Sequence, residues 1–447
     1  EISACLVGSE MCIRDRYIPL LLICALISCT PGKKQQTSTT ETNGVAVINL
    51  SENISDASSL PLSDAVAKVE FVCLEATNEA LTAGIHLVQV TDHDIWIAHY
   101  KDNRILRFSR SGKFLNMVGN IGQGPGEYVT LGEFLIDENH KEVYIVGGGI
   151  LVYDFEGNFK RNVIGYNHYN KFAAAYTQHV LFENNFFIAQ NIALYRPVPK
   201  DSLWSFALVD SCFHLKKMFK NPVHKGREEG IIKNCAQMNY FANYWKEDLT
   251  NIDTYGSQLT LKYPDTDTIY RYDVTHESLS PQYSIFTKEE KGDYEQTHLW
   301  FRERKAFDYF SISSYYPSKD YVYLVGSKGD KVLTYCYNKQ DGTVREQKRQ
   351  GKIKERQVPW FNIPLRRIER PFVLDNDLLG GEFTVDYRSA GKYWIDVLEP
   401  FSEDNWIDIG RIKATKAKDE AKKKELVEAL ENVGEESNPI VLIVTLK

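Results

Sequence analysis

The stretches ILRFSRSGKFL at residues 105–115 and ILVYDFEGNFK at residues 150–160 carry one pattern twice: aliphatic, two residues, aromatic, three residues, glycine, one residue, Phe. A short unit recurring after about 45 residues marks a repeat architecture. In both copies the glycine, Gly112 or Gly157, falls where a tight hairpin needs a positive φ. Between the copies lies IGQGPGEY at residues 121–128, a glycine-rich connection.

Around each copy the chain reads as four short strands joined by polar turns. The first set is 85–90, 95–98, 105–108 and 114–118; the second is 134–136, 143–146, 150–153 and 159–163. Four antiparallel strands in such a unit make one blade of a propeller. Fainter repeats follow at 180–190, 203–209, 259–272 and 321–337, with further strands at 372–374 and 392–398. The segments 224–247 and 289–310 break the rhythm and read as insertions from one face. Residues 412–433 are rich in Ala, Lys and Glu without Pro or Gly, which predicts a C-terminal helix stopped by Gly434. The last stretch, 438–446, is an apolar strand too exposed to be left as an open edge. It is expected to pair within the ring near residues 46–50, so that the two ends close the circle. The fold class is therefore all-β: a propeller of six four-stranded antiparallel blades with a helix near 412–433, formed by residues 46–447.

Bulk composition agrees. Of 447 residues 43% are hydrophobic and 25% charged, enough for a packed core. Tyr 26 and Phe 22 against Met 4 favour strands. With 53 basic and 60 acidic residues the net charge is −7, which excludes a general nucleic-acid binder.

Residues 1–16 fit nothing downstream; they resemble translated adapter read-through and are expected to be non-native. Residues 17–29 start with an apolar run too short to span a membrane, as in a signal peptide. The run ends Leu26-Ile27-Ser28-Cys29, which resembles a bacterial lipobox. That resemblance makes Cys29 the lipidated residue and predicts a membrane anchor in the envelope of a Gram-negative bacterium. Residues 30–45 are polar and apolar-poor, as a disordered tether would be.

Chemistry is harder to find. Gly122, Gly124, Pro125 and Gly126 lack the Gly-Lys-Ser/Thr of a phosphate-binding loop and read as a structural turn between blades, with Glu127 bonding backbone. The ten histidines show no metal-binding spacing; His93, His140 and His276 fall in turns, and His224 in a solvated charge run. Cys73, Cys212, Cys235 and Cys336 match no zinc pattern and read as small buried hydrophobes, with the disulfide state of Cys212 and Cys235 open. No catalytic residue, cofactor or metal ligand is assigned. Aromatic residues in the insertions, Tyr240, Tyr244, Trp245 and Trp300, are the candidate ligand-binding residues, since Tyr and Trp offer rigid amphipathic area.

The lipobox, the IGQGPGEY string, the paired repeats and the Asn438–Lys447 ending together resemble the bacterial six-bladed β-propeller lipoproteins, relatives of the NHL-repeat propellers. The resemblance covers nearly all of residues 46–447. It implies an exported, lipid-anchored propeller with a binding or scaffolding role; the chain is further expected to be monomeric and to bind a glycan or an envelope protein. It supplies no agreed reaction. The alternative is a propeller hydrolase or lyase with acids and histidines at the channel mouth.

Overall fold

In the first two blades the second strand is buried on both faces, and this builds the ring. In Asp94–His99 every residue is buried, and in Glu142–Val146 likewise. Alternate side chains of such a strand enter different layers. Ile95 and Ile97 pack with Tyr393, Ile395, Val441 and Ile443 on one side. Trp96 and Ala98 pack with Phe134, Val143, Ile145 and Tyr153 on the other. A continuous apolar run is the sequence signature of a strand covered on both faces.

The computed structural model describes residues 41–42, 44–57, 59–82, 84–99, 103–147, 149–163, 176–191, 203–230, 251–264, 266–289, 308–329, 331–347, 352–358, 363–369, 372–399, 407–434 and 436–447. Residues 38–447 form one unit. It is a six-bladed propeller. Blade 1 is Ile85–Val90, Asp94–His99, Ile105–Ser109 and Phe114–Val118. Blade 2 is Glu133–Asp137, Glu142–Val146, Ile150–Asp154 and Phe159–Val163. Blade 3 is Tyr176–Phe182, Asn185–Asn191, Phe206–Val209 and Leu215–Phe219. Blade 4 is Asn251–Tyr255, Gln258–Lys262, Thr268–Asp273 and Ser278–Phe286; blade 5 is Ser311–Pro317, Tyr321–Lys328, Lys331–Asn338 and Val344–Gln347. Within each of these the order in the sheet is the order in the chain, and the first strands approach one another around the axis. The core is accordingly split into six apolar clusters, one at each blade junction.

Blade 6 joins the two ends of the chain. Its strands are Tyr387–Ser389, Tyr393–Leu398, Ile440–Leu446 and, outermost, Val66–Cys73. The ends do close the ring, but through residues 66–73 rather than 46–50. Val45–Asn49 instead lies parallel on Ser278–Phe286 of blade 4, and Ile54–Ala57 lies parallel on Val344–Gln347 of blade 5. The N-terminal segment thus straps the outer edges of blades 4, 5 and 6 in turn. The half-exposed pattern of Val66–Cys73 suits an outermost strand, whereas Ile440–Leu446 is buried at six of seven positions and needs a neighbour on each side.

Asn438 locks this closure. Its Oδ1 accepts from Thr82 N at 2.8 Å and from Thr82 Oγ1 at 3.2 Å. Its Nδ2 donates to the Glu75 and Ala80 carbonyls at 2.7 and 2.8 Å. All its hydrogen-bonding capacity is used in a site 4% exposed. Asn438→Ala is expected to lower stability by about 2–3 kcal/mol, because the buried partners lose their bonds; urea denaturation checks it.

The repeated glycines do two jobs. Gly112 has φ 86° and Gly157 φ 89°. A Cβ on Gly112 would sit 2.1 Å from the Cys73 carbonyl oxygen, and one on Gly157 would sit 2.4 Å from that of Met117. Each hairpin tip therefore presses on the outer strand of the preceding blade. Gly112→Ala is expected to cost about 1–3 kcal/mol. Gly84→Ala, also at positive φ (77°) but facing open space, should cost visibly less in the same denaturation series.

The C-terminal helix is Glu420–Asn432, shorter than the predicted span. Ile409–Ala414 is a separate short helix. Asp419 caps the longer helix by accepting from Lys422 N, and the Glu420 side chain accepts from Ala417 N, which fixes the break. Lys423, 7% exposed, reaches back to the Lys413 and Thr415 carbonyls at the end of the short helix. Leu426, Val427 and Leu430 pack into the junction between blades 5 and 6.

Candidate functional site

Side chains on the first strands form a polar ring around the axis, and the ring crosses all six junctions. His86 Nε2 lies 3.4 Å from the Gly132 carbonyl, between blades 1 and 2. Glu133 Oε2 accepts from His179 N at 3.1 Å and lies 2.9 Å from His179 Nδ1, between blades 2 and 3. Gln178 Nε2 donates to the Ile252 carbonyl at 3.4 Å, and Asn251 Nδ2 to the Ser313 carbonyl at 2.9 Å. Arg388 donates to the Tyr315 carbonyl at 3.0 Å, between blades 5 and 6. Ser389 Oγ donates to the Val90 carbonyl at 2.7 Å and accepts from Val90 N at 2.9 Å, between blades 6 and 1.

One contact reaches further. Arg388 of blade 6 pairs with Asp253 of blade 4 at 2.9 Å and lies over the Tyr316 ring at 4.8 Å. Asp253 is 7% exposed in its side chain. Burial pushes its carboxyl up to about 6, and the nearby guanidinium only partly offsets this. These groups were not predicted. Their partners lie tens to hundreds of residues away, so no local spacing announces them.

A narrow cleft between blades 4 and 5, lined by Tyr255, Thr260, Gln282, Tyr315 and Lys339 among others, has room for about one water. Burial lowers the Lys339 amine to about 8. Its ammonium donates to the Ser318 carbonyl and sits 5.7 Å from the Tyr255 ring.

The glycine-rich connection is a tight loop between blades 1 and 2. Gly122 N donates to the Tyr128 carbonyl at 3.1 Å, and Glu127 Oε2 accepts from Gly124 N at 2.8 Å. A Cβ on Gly122 would meet Glu127 at 1.9 Å, and one on Gly126, whose φ is 75°, would meet the Phe159 ring at 2.6 Å. Tyr153 donates to the Gly126 carbonyl at 2.8 Å, so Pro125 and its glycines close over blade 2. Tyr240, Tyr244, Trp245, Trp300, Cys29 and Cys235 lie outside the described residues.

Two expectations change. His224 is buried, at 7% exposure, in the turn Pro222–His224, while the Lys225 and Arg227 beside it are exposed. Cys336 is buried, but Cys73 and Cys212 are exposed; all three are free thiols. Cys73 alternates outward from an outermost strand, and Cys212 sits on a hairpin tip.

The pattern of the family described as a domain of unknown function, DUF4934, matches residues 45–445. The chain belongs to the DUF4934 family. No curated protein matches this DUF4934 chain. Among solved structures it is similar to a Bacteroides fragilis protein described as exported, at 18% identity and TM-score 0.57, covering 90% of this chain and 100% of that one. That likeness supports the fold. A DUF4221 member from Bacteroides vulgatus (10% identity, TM-score 0.38, covering 64% and 86%) and a streptogramin B lyase (12%, 0.32, covering 62% and 72%) are too distant to bear on this DUF4934 chain.

Proposed function

We propose that this chain is an exported, lipid-anchored propeller that acts as a binding or scaffolding module for a glycan or an envelope protein partner. Cys29 is the anchor in this reading, which places the protein in the envelope of a Gram-negative bacterium; the name of the Bacteroides fragilis neighbour supports export.

The observation that carries the binding role is one end of the ring. In an antiparallel blade every connection to the next blade leaves from the same end. Val129, Phe286 and Ile121 are 59%, 53% and 47% exposed at such connections. Ile121 and Val129 lie between blades 1 and 2, and Phe286 ends blade 4, three junctions away. Exposed apolar side chains at these two connections suit a partner that sits on them.

A propeller hydrolase or lyase is the second reading, and Asp253 favours it: a carboxyl near 6 suits acid–base work. Against it, the described acids and histidines of the channel each face a neighbouring blade, and the Asp253 carboxylate is occupied by Arg388.

A glycan array and an envelope-extract pull-down with residues 38–447 test the binding reading. A ligand retained by the parent and lost in Val129→Asp/Phe286→Asp supports it; no ligand, or binding indifferent to the pair, defeats it. Labelling with a palmitate analogue should disappear in Cys29→Ala, and persistent labelling removes the anchor.

A further inference from the structure

We propose that Asp210, Cys212 and His214, on the hairpin tip between the third and fourth strands of blade 3, form a three-donor site for a divalent ion of the zinc class. Their donor atoms, a carboxylate oxygen, a thiol sulfur and an imidazole nitrogen, all lie within 4.8 Å of one another. Around a tetrahedral ion with bonds of roughly 2.0–2.3 Å, such atoms sit roughly 3.4 Å apart. Small side-chain rotations close the difference.

The turn holds the donors together before any ion arrives. Asp210 Oδ1 accepts from both Cys212 N and His214 N at 2.8 Å. Asp210 Oδ2 lies 3.1 Å from His214 Nδ1. Between the two exposed residues, Phe213 is fully buried and stacks on Phe186 with centroids 4.6 Å apart. Phe213 adopts φ 60°, where the tips of blades 1, 2 and 5 place Gly112, Gly157 and Gly342. Its burial pins the tip and leaves Cys212 and His214 facing solvent, where a metal aquo ion has access and water can complete the coordination.

Two other turns show what the thiol adds. Asp137 and His140 lie 2.8 Å apart on blade 2, and Asp273 and His276 lie 2.8 Å apart on blade 4. In both, the aspartate accepts from the backbone N–H groups two and three residues on, where Asp210 accepts from those two and four residues on. The Asp–His pair is therefore a recurrent turn device, and only the blade 3 turn places a cysteine within it. A soft sulfur joined to an imidazole and a carboxylate selects zinc-class ions over calcium or magnesium, which take all-oxygen sets.

The reduced full-length protein is titrated with Co2+, whose thiolate complex absorbs in the near ultraviolet, and the ion is then displaced by Zn2+. The expected result is a sulfur-to-cobalt band that Zn2+ abolishes, with alkylation of Cys212, mapped by mass spectrometry, slowed about tenfold or more by Zn2+. Cys212→Ser should remove the band, His214→Ala should weaken Zn2+ binding about tenfold or more, and His276→Ala should change neither. Binding should weaken as pH falls, because thiol and imidazole must lose protons to bind. A band that survives Cys212→Ser, or alkylation of Cys212 indifferent to Zn2+, overturns the proposal. Circular dichroism of each variant separates loss of the site from loss of the fold.

Discussion

Deletion of residues 438–447 is expected to leave a chain with no cooperative unfolding transition. Ile440, Val441, Leu442, Ile443, Val444 and Leu446 are each at most 8% exposed. At about 1.5–3 kcal/mol for each buried aliphatic side chain, the strand contributes about 9–18 kcal/mol before its hydrogen bonds. The stability of a whole domain is about 5–15 kcal/mol. The deletion also strips the third strand from blade 6, so among the described residues Val66–Cys73 is left without a partner in the sheet, and Thr82 loses Asn438. Thermal melts followed by circular dichroism test this; a melt within a few degrees of the parent would show that the ring does not depend on its closure. Removal of residues 1–58 makes the contrast. It takes the parallel strands off blades 4 and 5 but spares blade 6, so a cooperative transition should survive with a lower midpoint.

Arg388→Met is the second large effect, at about 3–5 kcal/mol near pH 7.5, because it leaves a buried carboxylate without its counter-charge. The sign of its pH dependence follows from Asp253. Burial raises the folded carboxyl to about 6, while the unfolded one keeps its ordinary value of 3.8. Between those values the folded state holds the proton that the unfolded state has released, so this group makes stability fall as pH rises through that window. Arg388→Met should therefore be far less damaging at pH 5, where Asp253 is largely neutral, than at pH 7.5. Asp253→Asn in the same background should recover most of the loss at pH 7.5. Equal losses at both pH values would mean that packing over Tyr316, rather than charge, is what Arg388 supplies.

Blades 1 and 2 were legible because their third-to-fourth-strand turns kept glycine at positive φ. Blades 3 and 4 place Phe213 and Glu277 there, at 60° and 44°, residues that no turn rule would select. The more faithful repeat is the residue that starts each turn: Ser109, Asp154, Asp210, Asp273 and Asn338 each accept a backbone N–H of their own turn. Short polar side chains are common enough that this signal is invisible without the ring to align it. The helix break at residues 415–419 was hidden for a similar reason, since Asp419 acts as a cap without any Pro or Gly to mark it. Polar ring residues were beyond reach: Ser389 and Val90 are 299 positions apart, and only closure makes them neighbours. The strap formed by 45–49 and 54–57 was likewise out of reach, because a parallel outer strand leaves no turn with its partner to read.

The strap also sets a timetable. Val45–Asn49 emerges from the ribosome early, yet Ala46 pairs with Tyr283 and Ile54 with Val344. At roughly 5–20 residues per second of synthesis, those partners follow more than ten seconds later, and Val66–Cys73 waits for the last strand of all. A segment made before any blade is thus placed only after blades 4 and 5 have been made. The ring stays open until Ile440–Leu446 has been made and can pair with Val66–Cys73.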